Sequence, residues 1–283
     1  MNKIDSINTQ YKESTFKISH PAIGDLYCGN VMEAQGILHE ICEDQLYFQS
    51  GISVSPGDVI LDVGANIGVF SLCAAKQGAR VYAFEPIPWT FAILELNVRL
   101  HGLESVVTVR NIGLSDRKEK KMMFHYPRAT VCDAWTPQDN LFKYMADNWE
   151  DTLYLLKTAD PERYGAIVSL GAKSKQQAAI RDIIKSAAAS PVQIECEFDT
   201  LSRVIAHENI EFIDLLKLDA ELADWEILNG VRDKDWERIR QLAMEVHVAS
   251  DVKPISQFLH DRGFGHVAST DLKMGTGCIW ATK

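Results

Sequence analysis

The chain has 283 residues, 46% hydrophobic and 24% charged, with a formal net charge of −10 at pH 7. That length holds one large α/β domain with additions, leaves little room for two, and the composition excludes repeat and low-complexity architectures. The acidic balance argues against a nucleic-acid surface, which needs clustered Lys and Arg to displace phosphate counterions.

The six cysteines (Cys28, Cys42, Cys73, Cys132, Cys196, Cys278) contain no C-x-x-C pair, so reduced core thiols are expected rather than a zinc knuckle or a disulfide frame. Met1 to His20 is polar, and no apolar run reaches secretory or bilayer-spanning length. The expectation is a cytoplasmic protein without a membrane partner.

In chain order, residues 1–54 read as an N-terminal cover, with an antiparallel or helical stretch from about Phe16 to Ser53. The turn signal Ser55-Pro56-Gly57-Asp58 launches the main domain, 55–283. The apolar run Val59-Ile60-Leu61 leads into Asp62-Val63-Gly64-Ala65-Asn66-Ile67-Gly68. Val69 to Lys76 then suits a buried helix closed by Gly78. A second strand runs from Arg80 to Glu85, followed by Pro86 and Pro88 at a helix start and Gly102 at its end. Val106 to Val109 is a third strand running into Asn111-Ile112-Gly113.

After Ser115 the rhythm breaks. Lys118 to Tyr126 reads as one further strand, and 128–191 is too long for a plain connection. Within that insertion Ala179, Ile180, Ile183, Ile184 and Ala187 recur at helical spacing beside Lys173, Lys175, Arg181 and Lys185. The βα pattern resumes at Phe212 to Asp219, with a helix to Gly230. A fifth strand spans Arg240 to Val248, a helix Pro254 to Arg262, and a closing hairpin His266 to Ser269 with Cys278 to Thr282. Such alternation predicts a doubly wound, mostly parallel sheet.

The glycine turn carries the first functional signal. Its spacing is G-x-x-x-G rather than the G-x-G-x-x-G that bares the backbone to a pyrophosphate. With an acidic residue, Glu85, ending the second strand, the pair reads as an S-adenosylmethionine site; a purely structural strand-to-helix turn is the alternative. Asp62, Gly64, Ala65, Asn66 and Gly68 are expected on the methionine side, Glu85 and Pro86 at the ribose, and Asn111, Ile112 and Gly113 at the adenine.

These segments resemble the FkbM-type methyltransferases. The likeness rests on VILDVGANIGVFSL (Val59–Leu72), VYAFEPIPWTF (Val81–Phe91), NIGLSD (Asn111–Asp116), IDLLKLDAE (Ile213–Glu221) and IRQLAMEVH (Ile239–His247), five motifs in order. It is similar above all to members in or beside polyketide and nonribosomal peptide assembly lines, which also carry a segment like HEICEDQLYFQSGI before the first strand. The resemblance implies a Rossmann-like seven-stranded sheet with an antiparallel closing strand. It also implies an S-adenosylmethionine-dependent O-methyltransferase acting on a small molecule or a carrier-tethered intermediate. The chain departs from the family pattern at Leu222, where many relatives have glycine.

Methyl transfer is an in-line displacement that needs alignment and removal of the acceptor's proton. Alternation along the strands puts Lys217 and Asp219 on one face of the fourth strand and Glu245 and His247 on one face of the fifth, all four toward the ligand-bearing edge. His247 is the expected general base, neutral at pH 7 if its pKa is unperturbed. Asp219 is expected at the methionine amine or the acceptor hydroxyl. A divalent metal on Asp219, Glu221, Glu245 and His247 is the competing reading.

The insertion is read either as a lid, with Tyr126, Arg128, Trp135 and Tyr144 lining the acceptor site, or as a helical decoration. Its basic face is read either as a dock for an acyl or peptidyl carrier protein or as a solvated surface. N-methylation and a non-catalytic cofactor-binding subunit are the alternative functions.

Overall fold

The computed structural model describes residues 14–283 except Arg128, Ser190 and 271–276. The polar stretch before Ser14 and the acceptor-site residue Arg128 therefore lie outside the described residues. Twelve strands are described: β1 (Phe16–His20), β2 (Gly24–Cys28), β3 (Val59–Val63), β4 (Arg80–Phe84), β5 (Val107–Arg110), β6 (Gly113–Leu114), β7 (Glu119–His125), β8 (Val192–Asp199), β9 (Leu215–Leu218), β10 (Gln241–Val246), β11 (His266–Ser269) and β12 (Gly277–Thr282).

Seven of them form the central sheet in the order β11-β12-β10-β9-β3-β4-β5. Its parallel members are β10, β9, β3, β4 and β5, while β12 runs antiparallel to both β10 and β11. This is a Rossmann-like doubly wound α/β sheet with one reversed strand. Sequence order switches direction between β3 and β9, so their carboxyl ends diverge around a crevice of the kind that holds ligands in such sheets.

The two-residue period sorts the apolar side chains. Ile60, Val81, Ala83, Leu215 and Ala243 pack under the helices Val69–Lys76 and Pro88–Leu100 and under the cover. On the other face Leu61, Val63, Tyr82, Phe84, Leu216, Leu218, Leu242 and Met244 pack under the helices Leu201–His207, Asp224–Asn229 and Val252–Asp261. Burial on both faces is why the parallel strands read as unbroken apolar runs.

The cover is both antiparallel and helical. The β1–β2 hairpin leads to a helix, Val31–Leu38, whose Asn30 side chain caps the N–H groups of Met32 and Glu33. A π-turn at His39–Glu43 and a 3₁₀ turn at Leu46–Phe48 then bring the chain back over the sheet edge. Asn97 bolts the cover down. Fully buried on the helix Pro88–Leu100, its side chain accepts from the Tyr27 N–H (2.7 Å) and donates to the carbonyls of Tyr27 (2.9 Å) and Ile67 (2.9 Å).

The insertion departs from the single extra strand expected. β7 pairs antiparallel with β8, from Glu119↔Phe198 to His125↔Val192, and β8 pairs with β6, making a separate three-stranded sheet. Four helices, Asp139–Asp147, Trp149–Ala159, Pro161–Val168 and Lys173–Ala188, are strung between β7 and β8. They enclose an apolar cluster that includes Phe142, Leu156, Ile167, Ile180 and Ile184 and takes in Met32 of the cover. No helix among the described residues is long and apolar enough to cross a membrane, and the six cysteines are free thiols.

Replacing Asn97 with leucine strands buried backbone groups at about 1–3 kcal/mol each. Urea unfolding of Asn97→Leu is expected to show a loss of at least about 2 kcal/mol, and an unchanged midpoint would mean the cover is not held through this residue.

Candidate active site

The turn after β3 is shaped by left-handed residues. Gly64 (φ 73°), Asn66 (φ 49°) and Gly68 (φ 94°) all have positive φ. Asparagine tolerates that region, and the Asn66 side chain accepts from the Ile67 N–H at 2.7 Å. At Gly64 the requirement is also steric, because an added Cβ would lie 1.6 Å from the Asp219 carbonyl oxygen. The Gly64 and Ala65 N–H groups both donate to the Phe84 carbonyl, at 3.1 and 3.0 Å, which ties the turn to β4.

Asp62 is 0% exposed and does not line the cavity beside the turn. Its Oδ2 accepts from the Ser71 hydroxyl at 2.6 Å, and its Oδ1 lies 3.2 Å from Lys217 Nζ. Lys217, 3% exposed, also reaches the Gly64 carbonyl (2.8 Å) and Asp219 Oδ2 (3.5 Å), and its ammonium sits 5.2 Å from the Tyr47 ring centroid. Burial works against the ammonium, but the Asp62 and Asp219 carboxylates outweigh it and raise the Lys217 pKa. Lys217 is thus a charged tie between β3 and the end of β9.

Glu85 lies at the carboxyl end of β4. Its Oε2 accepts from the Asn66 N–H (3.1 Å) and its Oε1 from the Ile87 N–H (2.9 Å). Burial nevertheless pushes its pKa up to about 8. Ala65, Asn66, Glu85, Pro86 and Gly113 line the cavity, whereas Gly68, Asn111 and Ile112 do not. Asn111 donates to the carbonyls of Glu85 (2.9 Å) and Pro86 (3.0 Å), fixing that loop, and Ile112 packs against the core.

At the carboxyl ends of β9 and β10 stands an acidic group. Asp219 accepts from the Tyr47 hydroxyl at 2.9 Å, and burial, which raises its pKa, is outweighed by Lys217, His247 and that hydrogen bond. His247 Nε2 lies 3.4 Å from Glu221 Oε2 and 4.0 Å from Asp219 Oδ1, and its Nδ1 lies 3.8 Å from Asp224 Oδ2. Burial disfavours the imidazolium, yet Glu221, Asp224 and Glu245 raise its pKa well above the ordinary value. This corrects the expectation of an unperturbed, neutral His247, which is not among the cavity-lining residues either. Asp219, Glu221 and Glu245 do line the cavity. Asp219, Glu245 and His247 can each direct one ligand atom to within 4.8 Å of the others.

Sequence reasoning missed three contributors from the cover. Tyr47 reaches Asp219, Glu40 is raised to about 7 by burial and Asp219, and Glu33, raised to about 7 by burial, accepts from the Thr130 hydroxyl at 2.9 Å. The only hint was a run of polar and aromatic residues before the first strand. Leu222 takes φ 63°, the left-handed conformation glycine enters freely. Leucine there costs roughly 1–2 kcal/mol, a physical reason for glycine at the equivalent place in relatives.

The cavity has a volume of about 980 Å³ and extends from the glycine turn to the insertion. Its far wall includes Met32, Leu141, Phe142, Met145, Leu156 and Ile183. Trp135 also lines it, with Lys121 Nζ 4.2 Å from its ring centroid. Tyr126 and Tyr144, expected on this wall, do not line it. Tyr126 is buried against Phe142 with its hydroxyl accepting from the Gln138 N–H (2.9 Å), and Tyr144 lies on the exposed side of its helix.

A glycine-shaped turn after the first core strand, an acid ending the second and an open chamber opposite them define a methyltransferase of the S-adenosylmethionine-dependent fold. The chain belongs to the FkbM methyltransferase family, whose domain model matches residues 62–265. It is 36% identical over 248 residues to the 31-O-demethyl-FK506 methyltransferase FkbM of Streptomyces tacrolimicus, covering 86% of each chain. It is 30% identical to methyltransferase sdnD of Sordaria araneosa, covering 84% of this chain and 85% of that one. A third match, 31% identical to the AMB antimetabolite synthetase AmbE of Pseudomonas aeruginosa, spans 83% of this chain and 11% of that much longer protein.

Because the folded-state pKa of Glu85 is raised to about 8, the native state holds its proton where the unfolded chain has lost it. Its stabilising contribution is complete below the unfolded value near 4.3 and is lost as pH rises through about 8. Comparing Glu85→Gln with the parent by urea unfolding of the ligand-free protein should therefore favour the variant increasingly from pH 5 to pH 9. A difference that does not vary with pH would show that Glu85 ionises normally in the fold.

Proposed function

We propose that the chain transfers a methyl group from S-adenosylmethionine to a hydroxyl of a secondary metabolite, free or tethered to a carrier protein. The observation that carries this reading is that Asp219 and Glu245 line the same cavity as the Gly64–Asn66 turn and Glu85. In this reading the turn holds the methionine part and Glu85 the ribose diol. The nucleoside base would lie by Pro86 and Gly113, with Asn111 and Ile112 shaping that loop without touching the cofactor. Asp62 and Gly68 support the turn from behind. The sulfonium methyl then faces the acidic wall, where an acceptor oxygen could approach in line.

Proton removal falls to the acidic wall rather than to His247 alone. His247 holds the carboxylates in place as their counter-charge, and Lys217 positions Asp219. Glu40, raised by burial to about 7, and Glu221, also raised by burial, hold a proton more readily than free carboxylates, and a hydroxyl proton can pass to that wall. An amine would be held by the same wall as its ammonium, which has no lone pair for methyl transfer, so the electrostatics favour oxygen over nitrogen acceptors. The name of the Streptomyces relative points the same way.

The apolar far wall suits an acceptor with a sizeable hydrocarbon body, and Trp135 would pack on it. The match to a segment of AmbE supports an assembly-line substrate. Lys173, Lys175, Arg181 and Lys185 are exposed on the insertion's last helix, where an acidic acyl or peptidyl carrier could dock. Lys173 also pairs with Glu150 at 2.7 Å.

Two measurements test this. Glu85→Ala should weaken S-adenosylmethionine binding by about 1.5–3 kcal/mol, as for a hydrogen bond to a charged group; calorimetry showing equal affinity would place the ribose elsewhere. Release of S-adenosylhomocysteine with hydroxylated acceptors, and not with their amine analogues, is expected across a matched panel; the reverse preference would make the enzyme an N-methyltransferase.

A further inference from the structure

The two cysteines that are not fully buried are neighbours. Cys42 sits in the π-turn His39–Glu43 of the cover, and Cys73 on the helix Val69–Lys76. Their sulfurs are 3.6 Å apart and share a hydrogen bond. Among the described residues no other two cysteine sulfurs make such a contact. Cys28, Cys132, Cys196 and Cys278 are buried, and burial pushes each of those thiols up, away from the reactive thiolate.

The pair is arranged for oxidation. The Cys73 thiol donates to Cys42 and lowers its pKa, against the opposing effects of burial and of Glu43. Cys42 therefore becomes the thiolate, the form that attacks an oxidant. Closing the gap from 3.6 Å to the ~2.0 Å of a disulfide is a smaller movement than a cysteine sulfur makes between two staggered rotamers.

The contact lies where the cover meets the wall of the chamber. Glu40 of the same π-turn lines the cavity, and Tyr47 just beyond it donates to Asp219. On the helix, Phe70 lines the cavity, and the Tyr47 and Phe48 rings each pack on it with centroids 5.5 Å apart. Cys42 and Cys73 themselves stand behind this wall and do not line it. A bond between them would close a loop that holds both Tyr47 and the Gly64–Asn66 turn, fastening the cover to the helix that follows the turn.

We propose that Cys42 and Cys73 form a reversible dithiol–disulfide site, oxidised by hydrogen peroxide, that locks the cover over the cofactor side of the chamber. The Cys42 thiolate attacks one peroxide oxygen and the O–O bond breaks. Cys42 becomes a sulfenic acid, and the departing hydroxide takes up the thiol proton as water. The Cys73 sulfur then bonds to the Cys42 sulfur, the S–O bond breaks and a second water leaves. The two thiols have lost two electrons and two protons, and an external dithiol returns them. With the cover pinned, ligands leave the chamber more slowly, a consequence that rests on the proposed function.

The test treats reduced full-length protein with hydrogen peroxide and counts thiols after denaturation. The count should fall from six to four, non-reducing peptide mapping should find Cys42 joined to Cys73, and dithiothreitol should restore the starting count. The oxidised protein should melt several degrees higher, and stopped-flow fluorescence should show S-adenosylhomocysteine leaving it about threefold more slowly or slower still. Cys42→Ser and Cys73→Ala, each folded by circular dichroism, should show neither change after the same treatment. An undiminished thiol count, or linkage through other cysteines, overturns the proposal. So does a complete Cys42–Cys73 bond that alters neither melting nor release. A Cys42–Cys73 bond that raises the melting temperature of a protein unable to bind S-adenosylhomocysteine keeps the site and removes the proposed function instead.

Discussion

Lys217 is the constraint on which the rest of the site depends. One buried ammonium reaches Asp62 at the end of β3, the carbonyl of Gly64 in the turn and Asp219 beyond β9. Without that charge Asp62 would be a carboxylate at zero exposure with only the Ser71 hydroxyl to hold it, a cost of several kcal/mol that a fold of ordinary stability cannot readily bear. The same tie requires the Gly64 backbone to pass so close to the Asp219 carbonyl that no side chain fits between them. Electrostatics and steric exclusion therefore specify the same glycine, and together they fix the spacing between the cofactor turn and the acidic wall.

Around that spacing the chamber is closed by segments remote in sequence. The cover contributes Tyr47 and Glu40, the core strands Asp219 and Glu245, and the insertion an apolar far wall. Glu33 joins cover to insertion through the Thr130 hydroxyl and the Val131 N–H. The result is polarised. One end is crowded with carboxylates whose charge exceeds that of Lys217 and His247, and the other offers hydrocarbon. A cationic methyl donor suits the acidic end and an apolar body the other.

Much of the core was legible in the sequence because its causes are local. Apolar runs bounded by glycine and proline mark the parallel strands, and G-x-x-x-G with Glu85 marks the ligand edge. The strand β8 was not legible, since its partner β7 lies beyond the whole insertion and its alternating Glu195 and Glu197 resemble a solvated loop. Asp62 looks like a ligand contact from its position at a strand end, but its partners, Ser71 and Lys217, come from a helix and another strand. The ionisation of His247 depends on Glu221 and Asp224, whose approach only the folded loop creates. Asn97 is a lone amide on an apolar helix, and nothing in its neighbourhood announces that it holds three backbone groups of the cover and the turn.

In the proposed function one chamber presents the methyl donor at the Gly64–Glu85 edge to the Asp219–Glu245 wall. A crystal structure of the S-adenosylhomocysteine complex tests it most directly. The account predicts a ribose diol on Glu85 and a sulfur directed across the crevice at Asp219 and Glu245. A cofactor bound elsewhere, or with its sulfur turned away from that wall, would contradict it.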